Sequence, residues 1–138
     1  MIEVVAVDHL VMRVSDYARS RTFYAGLFAF MGFEMIDRYE DMTGWRNGRT
    51  AYWIARAAPG ARSYSAEDVG FAHYAFEVGG RADVDALQAY LRETGATIVD
   101  PAGAYYEDYY AVYFTDPDGL KLEAMTYGPG HQDAARQK

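Results

Sequence analysis

Val7-Asp8-His9-Leu10-Val11-Met12-Arg13-Val14 and Phe71-Ala72-His73-Tyr74-Ala75-Phe76-Glu77-Val78 decide how this chain is read. Both are apolar-rich eight-residue runs with a histidine third and a valine last, and 64 residues separate His9 from His73. Self-similarity at a fixed offset marks a duplicated structural unit and precedes any motif search.

The similarity extends outward from both runs. After the first, Ser15-Asp16 offers side-chain oxygens for a helix N-terminus, and Tyr17, Phe23, Tyr24, Leu27 and Phe28 recur at helical spacing up to Gly32. After the second, Gly80 or Asp83 opens a segment whose apolar stripe is Val84, Leu87, Tyr90 and Leu91, closed by Gly95. Strand-like runs follow in each half: 33–39 and 50–57 in the first, then 96–99, 110–115 and 120–126 in the second. Asp116-Pro117-Asp118-Gly119 is a turn signal that joins the last two runs as a hairpin, and Asn47-Gly48 is a weaker one before Thr50. Each half therefore reads as strand, helix, then two or three strands. The expected division is a single α+β domain over 1–127, with module one at 4–57, a Pro/Gly-bearing linker at 58–70 and module two at 71–127. A polar tail at 128–138 is expected to be loosely held.

Composition narrows the function. The 138 residues suit one domain that buries its own core. The absence of cysteine removes thiolate nucleophiles and cysteine-ligated zinc, and fits a reducing, cytoplasmic setting. Met1-Ile2-Glu3-Val4 lacks the charged and apolar regions of a secretory signal, and no apolar run approaches the ~20 residues of a membrane span. A net charge of −7 disfavours nucleic acid and anionic lipid as partners and leaves a small molecule. Gly79-Gly80 is no phosphate loop, the serines lack a nucleophile-elbow context, and Arg13 to Arg21 is a helix start with scattered charge.

Of the three histidines, His131 reads as a solvated tail residue. His9 and His73 occupy equivalent strand positions, which two pseudo-symmetric halves would bring towards a shared axis. Each could instead be a core histidine bonded to a backbone carbonyl, but the matched register favours a shared role as metal ligands. Glu123 is the third candidate. Strand alternation places it on one face with Lys121 and Met125, and periodicity leaves open whether that face meets solvent or a site. Two imidazoles and one carboxylate would form a facial set for Fe(II), Mn(II), Zn(II) or Ni(II) with positions left for substrate.

Val7-Asp8-His9-Leu10, Phe23-Tyr24, His73-Tyr74-Ala75-Phe76-Glu77-Val78 and above all Tyr113-Phe114-Thr115-Asp116-Pro117-Asp118-Gly119-Leu120-Lys121-Leu122-Glu123 resemble the vicinal oxygen chelate superfamily. That superfamily includes glyoxalase I, bleomycin-resistance proteins, extradiol dioxygenases and fosfomycin-resistance transferases. The resemblance spans about residues 4–127. It implies paired βαβββ modules forming a cupped, incomplete barrel, and one divalent metal on His9, His73 and Glu123. It also implies a homodimer. A fourth ligand, where members have one, comes from the strand here written Thr50-Ala51-Tyr52-Trp53-Ile54-Ala55, which carries no carboxylate or imidazole.

Individual members are told apart by what is missing. The first-module carboxylate of glyoxalase I is absent. Extradiol dioxygenases place a tyrosine ten residues before the glutamate, where Tyr113 stands, but also use spare histidines that are not found nearby. Transferases of the fosfomycin type need cationic groups in the loop that here reads Tyr105-Tyr106-Glu107-Asp108-Tyr109-Tyr110, which is acidic and aromatic. That loop is either a Tyr-rich strand entrance or a pocket wall with Glu107 or Asp108 as base. The expectation is a metal-dependent glyoxalase-like lyase or dioxygenase acting on a small substrate through neighbouring oxygens, with Glu123, Tyr113 and Glu107 as candidate catalytic groups. The alternative is a non-catalytic protein of the bleomycin-resistance type that sequesters a drug or other small molecule.

Overall fold

The structure is a computed structural model that describes residues 1–131. The chain divides into two compact units, Met1–Ser63 and Tyr64 onward, so the boundary falls inside the expected linker. Of the expected polar tail, 132–138 lie outside the described residues.

The first unit runs β1 (His9–Val14), α1 (Tyr17–Phe30), β2 (Glu34–Arg38), β3 (Met42–Asn47) and β4 (Thr50–Arg56). Its sheet has the order β1-β4-β3-β2, with β1 parallel to β4 and the other pairs antiparallel. The second unit repeats this as β5 (His73–Glu77), α2 (Arg81–Glu93), β6 (Ile98–Tyr106), β7 (Tyr109–Thr115) and β8 (Lys121–Tyr127). Its order is β5-β8-β7-β6, with β5 parallel to β8. Each unit is thus one βαβββ module, and the fold is α+β.

The duplication reaches the helix ends. Asp16 caps α1 by accepting the Arg19 N–H at 3.0 Å. Gly32 (φ 75°) and Gly95 (φ 72°) both take the left-handed conformation that ends a helix. Beyond them, the Phe33 N–H donates to Phe28 O at 2.8 Å, and the Ala96 N–H donates to Leu91 O at 2.9 Å. The matched glycines therefore reflect one closure used twice.

Each helix buries one face of its sheet. Tyr24, Leu27 and Phe28 of α1 are fully buried, with the Phe28 ring 5.0 Å from Tyr52 and 5.4 Å from Trp45. In the second unit Val84, Leu87 and Leu91 of α2 are buried, as are Val112, Phe114, Leu122 and Ala124 of β7 and β8. These residues alternate along their strands with a second set, which therefore lines the opposite face.

Two strands depart from expectation. β3 is not anticipated in the sequence, because Gly44 interrupts a short polar run. The glycine is needed there: a Cβ would lie 2.4 Å from the Trp53 ring, which rests flat on the backbone. β6 is longer than the expected 96–99 and takes in Pro101 and Gly103 through several register shifts. An edge strand tolerates a proline because the backbone N–H that proline lacks can be one that would have faced away from the sheet. The segment 105–110 is consequently a hairpin tip and not a loop. Glu107-Asp108 makes the turn, with Asp108 at φ 57°. The Asp116–Gly119 turn forms as expected: Asp116 Oδ1 accepts the N–H groups of Asp118 and Leu120 at 2.9 and 2.8 Å.

Candidate metal and substrate site

Glu123 lies on the face of the second sheet that α2 leaves uncovered, yet only 2% of it is exposed. Its neighbours in register are Ala75 on β5 and Tyr113 on β7. His73 pairs with Lys121, so it sits diagonally from Glu123 on the same face, a spacing that long side chains bridge. His73 Nε2 is 3.2 Å from Glu123 Oε2. Two donors at right angles on one metal, each about 2.1 Å from it, stand roughly 3.0 Å apart. The spacing is that of two ligands on one metal, and equally that of a direct imidazole–carboxylate hydrogen bond.

The other carboxylate oxygen is engaged as well. The Tyr109 hydroxyl donates to Glu123 Oε1. Burial first, then this bond, pushes the Tyr109 hydroxyl far above the ordinary tyrosine range. Tyr113 is pushed up to about 12, by burial first and by the Glu123 charge next. Both hydroxyls hold their protons at neutral pH, so they serve as hydrogen-bond donors and are poor bases.

Around this centre the tyrosines interlock. Tyr105 meets Tyr113 edge-on at 5.4 Å, Tyr106 meets Tyr109 at 5.8 Å, and Tyr109 meets Tyr127 at 5.4 Å. The Lys121 ammonium stands 4.6 Å from the Tyr113 ring centroid. His131 is not the solvated tail residue of the sequence reading. Its ring stacks on Tyr127 at 3.7 Å, and its Nε2 is buried with no hydrogen-bond partner among the described residues. Glu107 is exposed at the hairpin tip.

In the first unit His9 opens β1 and pairs with Ala51, as His73 opens β5. Its Nδ1 is 2.9 Å from Asp8 Oδ2, and the same carboxylate accepts Arg46 Nη2 at 3.1 and 3.2 Å. The His9 bond first, then Arg46, holds the Asp8 carboxyl below its usual range. A carboxylate on Nδ1 orients an imidazole so that Nε2 is presented for ligation. Val11 pairs with Trp53 as Ala75 pairs with Glu123, so the counterpart of the glutamate in this unit is an indole. Among the described residues, no three or more His, Cys, Asp or Glu side chains are gathered where they could hold a metal.

The sequence reading selected His73, Glu123 and Tyr113, which the second unit brings together. It missed Tyr109 and Lys121 as parts of the site. For Lys121 the alternation of β8 was signal enough. For Tyr109 the signal was its place, opposite Tyr127, in the register that puts Tyr113 opposite Glu123.

The sequence profile of the Glyoxalase/Bleomycin resistance protein/Dioxygenase superfamily matches residues 6–124. Among curated proteins, the chain is 31% identical to glutathione transferase FosA of Serratia marcescens over 119 residues, covering 86% of this chain and 78% of that protein. It is 32% identical to the uncharacterized protein YaeR of Escherichia coli, covering 85% and 92%. Among solved structures, a glyoxylase/bleomycin resistance protein/dioxygenase domain from Frankia sp. EAN1pec superposes with a TM-score of 0.80 at 21% identity, covering 94% and 96%. Lactoylglutathione lyase from Agrobacterium tumefaciens superposes with 0.69 at 18%, covering 89% and 94%. At those identities the two structures speak to the fold alone.

Proposed function

Because the chain belongs to the glyoxalase/bleomycin resistance protein/dioxygenase superfamily, we propose that it is a metal-dependent enzyme of the glyoxalase or dioxygenase type. One divalent ion (Fe, Mn, Zn or Ni) would be held by His9, His73 and Glu123. The observation that carries this reading is the buried Glu123 carboxylate, with Oε2 beside His73 Nε2 at ligand spacing. A carboxylate is costly to bury for packing alone, and several kcal/mol of desolvation are offset only by a charged or strongly bonded partner. The orientation of His9 by Asp8 supports it as the third donor. His9 would be the third donor as the counterpart of His73 in the duplicated unit, and a homodimer is part of the same proposal.

When bound, the metal supplies Lewis acidity to adjacent oxygens of a small substrate. The chain's own groups do the rest. Tyr113, with its proton retained, donates to a substrate oxygen that gains negative charge. Lys121 adds a positive charge on the same face. The tyrosine edges favour a flat substrate over an extended one. Glu107 would accept a proton only if substrate reached the hairpin tip, where this side chain is exposed.

The test is element-resolved metal analysis of untagged protein beside the His9→Ala and His73→Ala variants. About one metal per chain, lost in each variant, supports the site. Full occupancy in both variants refutes it. The aromatic wall also suits a ligand-sequestering protein. A shift of tyrosine and tryptophan fluorescence by a cationic aromatic compound, with no metal held after anaerobic loading, would establish that reading instead.

A further inference from the structure

Resting on the metal reading above, we infer that Tyr109 is the positioning residue of Glu123, and that it confines this ligand to a single oxygen. The terminal torsion of a glutamate is broad and two-fold, so backbone placement alone does not say which oxygen faces a metal. Here the Tyr109 hydroxyl donates to Oε1, which leaves Oε2 on the His73 side. A hydrogen-bond donor behind a metal ligand orients it and commonly changes metal affinity 10–100-fold.

The placement of Tyr109 is built by the fold. It follows Asp108, whose left-handed backbone makes the β6–β7 turn. The Gly128 N–H donates to Asp108 O at 2.8 Å, which ties the end of β8 to that turn. A Cβ on Gly128 would lie 2.4 Å from Asp108 Oδ1, and one on Gly130 would lie 2.1 Å from Oδ2. Gly128 and Gly130 thus both lie directly against the Asp108 side chain, which keeps the Gly128-Pro129-Gly130 segment on the turn. Tyr127 and Tyr106 then set the Tyr109 ring from two sides, each edge-on. Tyr110, the next residue, alternates to the other face and bonds Asp85 on α2 at 2.7 Å, so it serves as the internal control.

The experiment measures Co(II) affinity by chelator competition in the wild type, Tyr109→Phe, Tyr110→Phe, Glu123→Gln and the double variant Tyr109→Phe/Glu123→Gln. Tyr109→Phe should bind about 10–100-fold more weakly, with an altered visible spectrum of the Co(II) form. Tyr110→Phe should match the wild type, and the Tyr109 effect should vanish once Glu123 is Gln. Infrared difference spectra of the wild type on metal loading should show the wide carboxylate splitting of one-oxygen ligation, a readout that needs no variant. Affinity of Tyr109→Phe within twofold of wild type, or a narrow splitting, would overturn the role of Tyr109 while leaving the metal site standing. Failure of the wild type to bind Co(II), Fe(II), Mn(II), Zn(II) or Ni(II) would overturn both.

Discussion

Replacing Glu123 with glutamine separates a ligand from a structural carboxylate. Gln keeps an oxygen that accepts the Tyr109 hydroxyl bond, but the bond changes from charged to neutral. Bonds to charged groups contribute about 1.5–3 kcal/mol and neutral ones about 0.5–1.5, so roughly 1 kcal/mol is lost. The pairing with His73 is also lost, but that side chain is 42% exposed and solvent screening keeps its contribution below about 1 kcal/mol. Against this stands the desolvation of a carboxylate that is 2% exposed, several kcal/mol in size, which Gln does not incur. The metal-free variant should thus equal the wild type or exceed it by about 1–3 kcal/mol. At roughly 2.1 cal/mol/K per residue, 138 residues have an unfolding entropy near ~0.29 kcal/mol/K, so the gain is at most about 10 °C in Tm. Metal at 100 times its Kd should stabilise the wild type by about 2.7 kcal/mol, or about 9 °C, and leave the variant unmoved. Calorimetry of both proteins, with and without metal, reads all four values. A metal-free Glu123→Gln protein destabilised by more than about 2 kcal/mol would refute the reasoning, because the carboxylate would then be holding the hairpin and not awaiting a cation.

Three further outcomes follow from the packing. Gly44→Ala puts a methyl group 2.4 Å from the Trp53 ring and should cost about 1–3 kcal/mol, with a shift in tryptophan fluorescence; unchanged melting would show that the indole has room to lift. The buried pair of Tyr17 Oη and Thr43 Oγ1, at 2.6 Å, should make Tyr17→Phe cost about 1–3 kcal/mol by stranding the threonine, whereas Tyr17→Phe/Thr43→Val should recover most of the loss in a denaturation cycle. Because the folded state raises the Tyr113 hydroxyl from 10 to about 12, the stability it contributes is complete below pH 10 and lost as pH rises from about 10 to 12; Tyr113→Phe should lessen the slope of that limb in chemical denaturation without abolishing it, since the Tyr109 hydroxyl is raised as well.

Much of the architecture was legible because it is written twice. The offset between His9 and His73 and the closing glycines Gly32 and Gly95 record local rules of strand alternation and helix termination, which act within a few residues. The Asp116–Gly119 turn was legible for the same reason, since its bonds run from a side chain to the backbone two and four residues on. β3 and the far half of β6 were hidden because Gly44, Pro101 and Gly103 oppose strand propensity. They are accepted for tertiary reasons: a ring lying across a backbone, and an edge position where the N–H that proline lacks can be one facing away from the sheet.

For the site, the sequence by itself named His73, Glu123 and Tyr113 and matched His9 to His73, because pattern and spacing carry residue type and strand position. Only the tertiary structure decided that Glu123 is buried on its face and that Tyr109 claims one carboxylate oxygen. It also decided that His131 stacks on Tyr127 and that Trp53 is the residue whose register matches that of Glu123. The physical reason is that burial and hydrogen bonding depend on which strands lie side by side and in which register. Glu123 meets Tyr109 across 14 residues of chain and His73 across 50, and no local preference specifies either encounter.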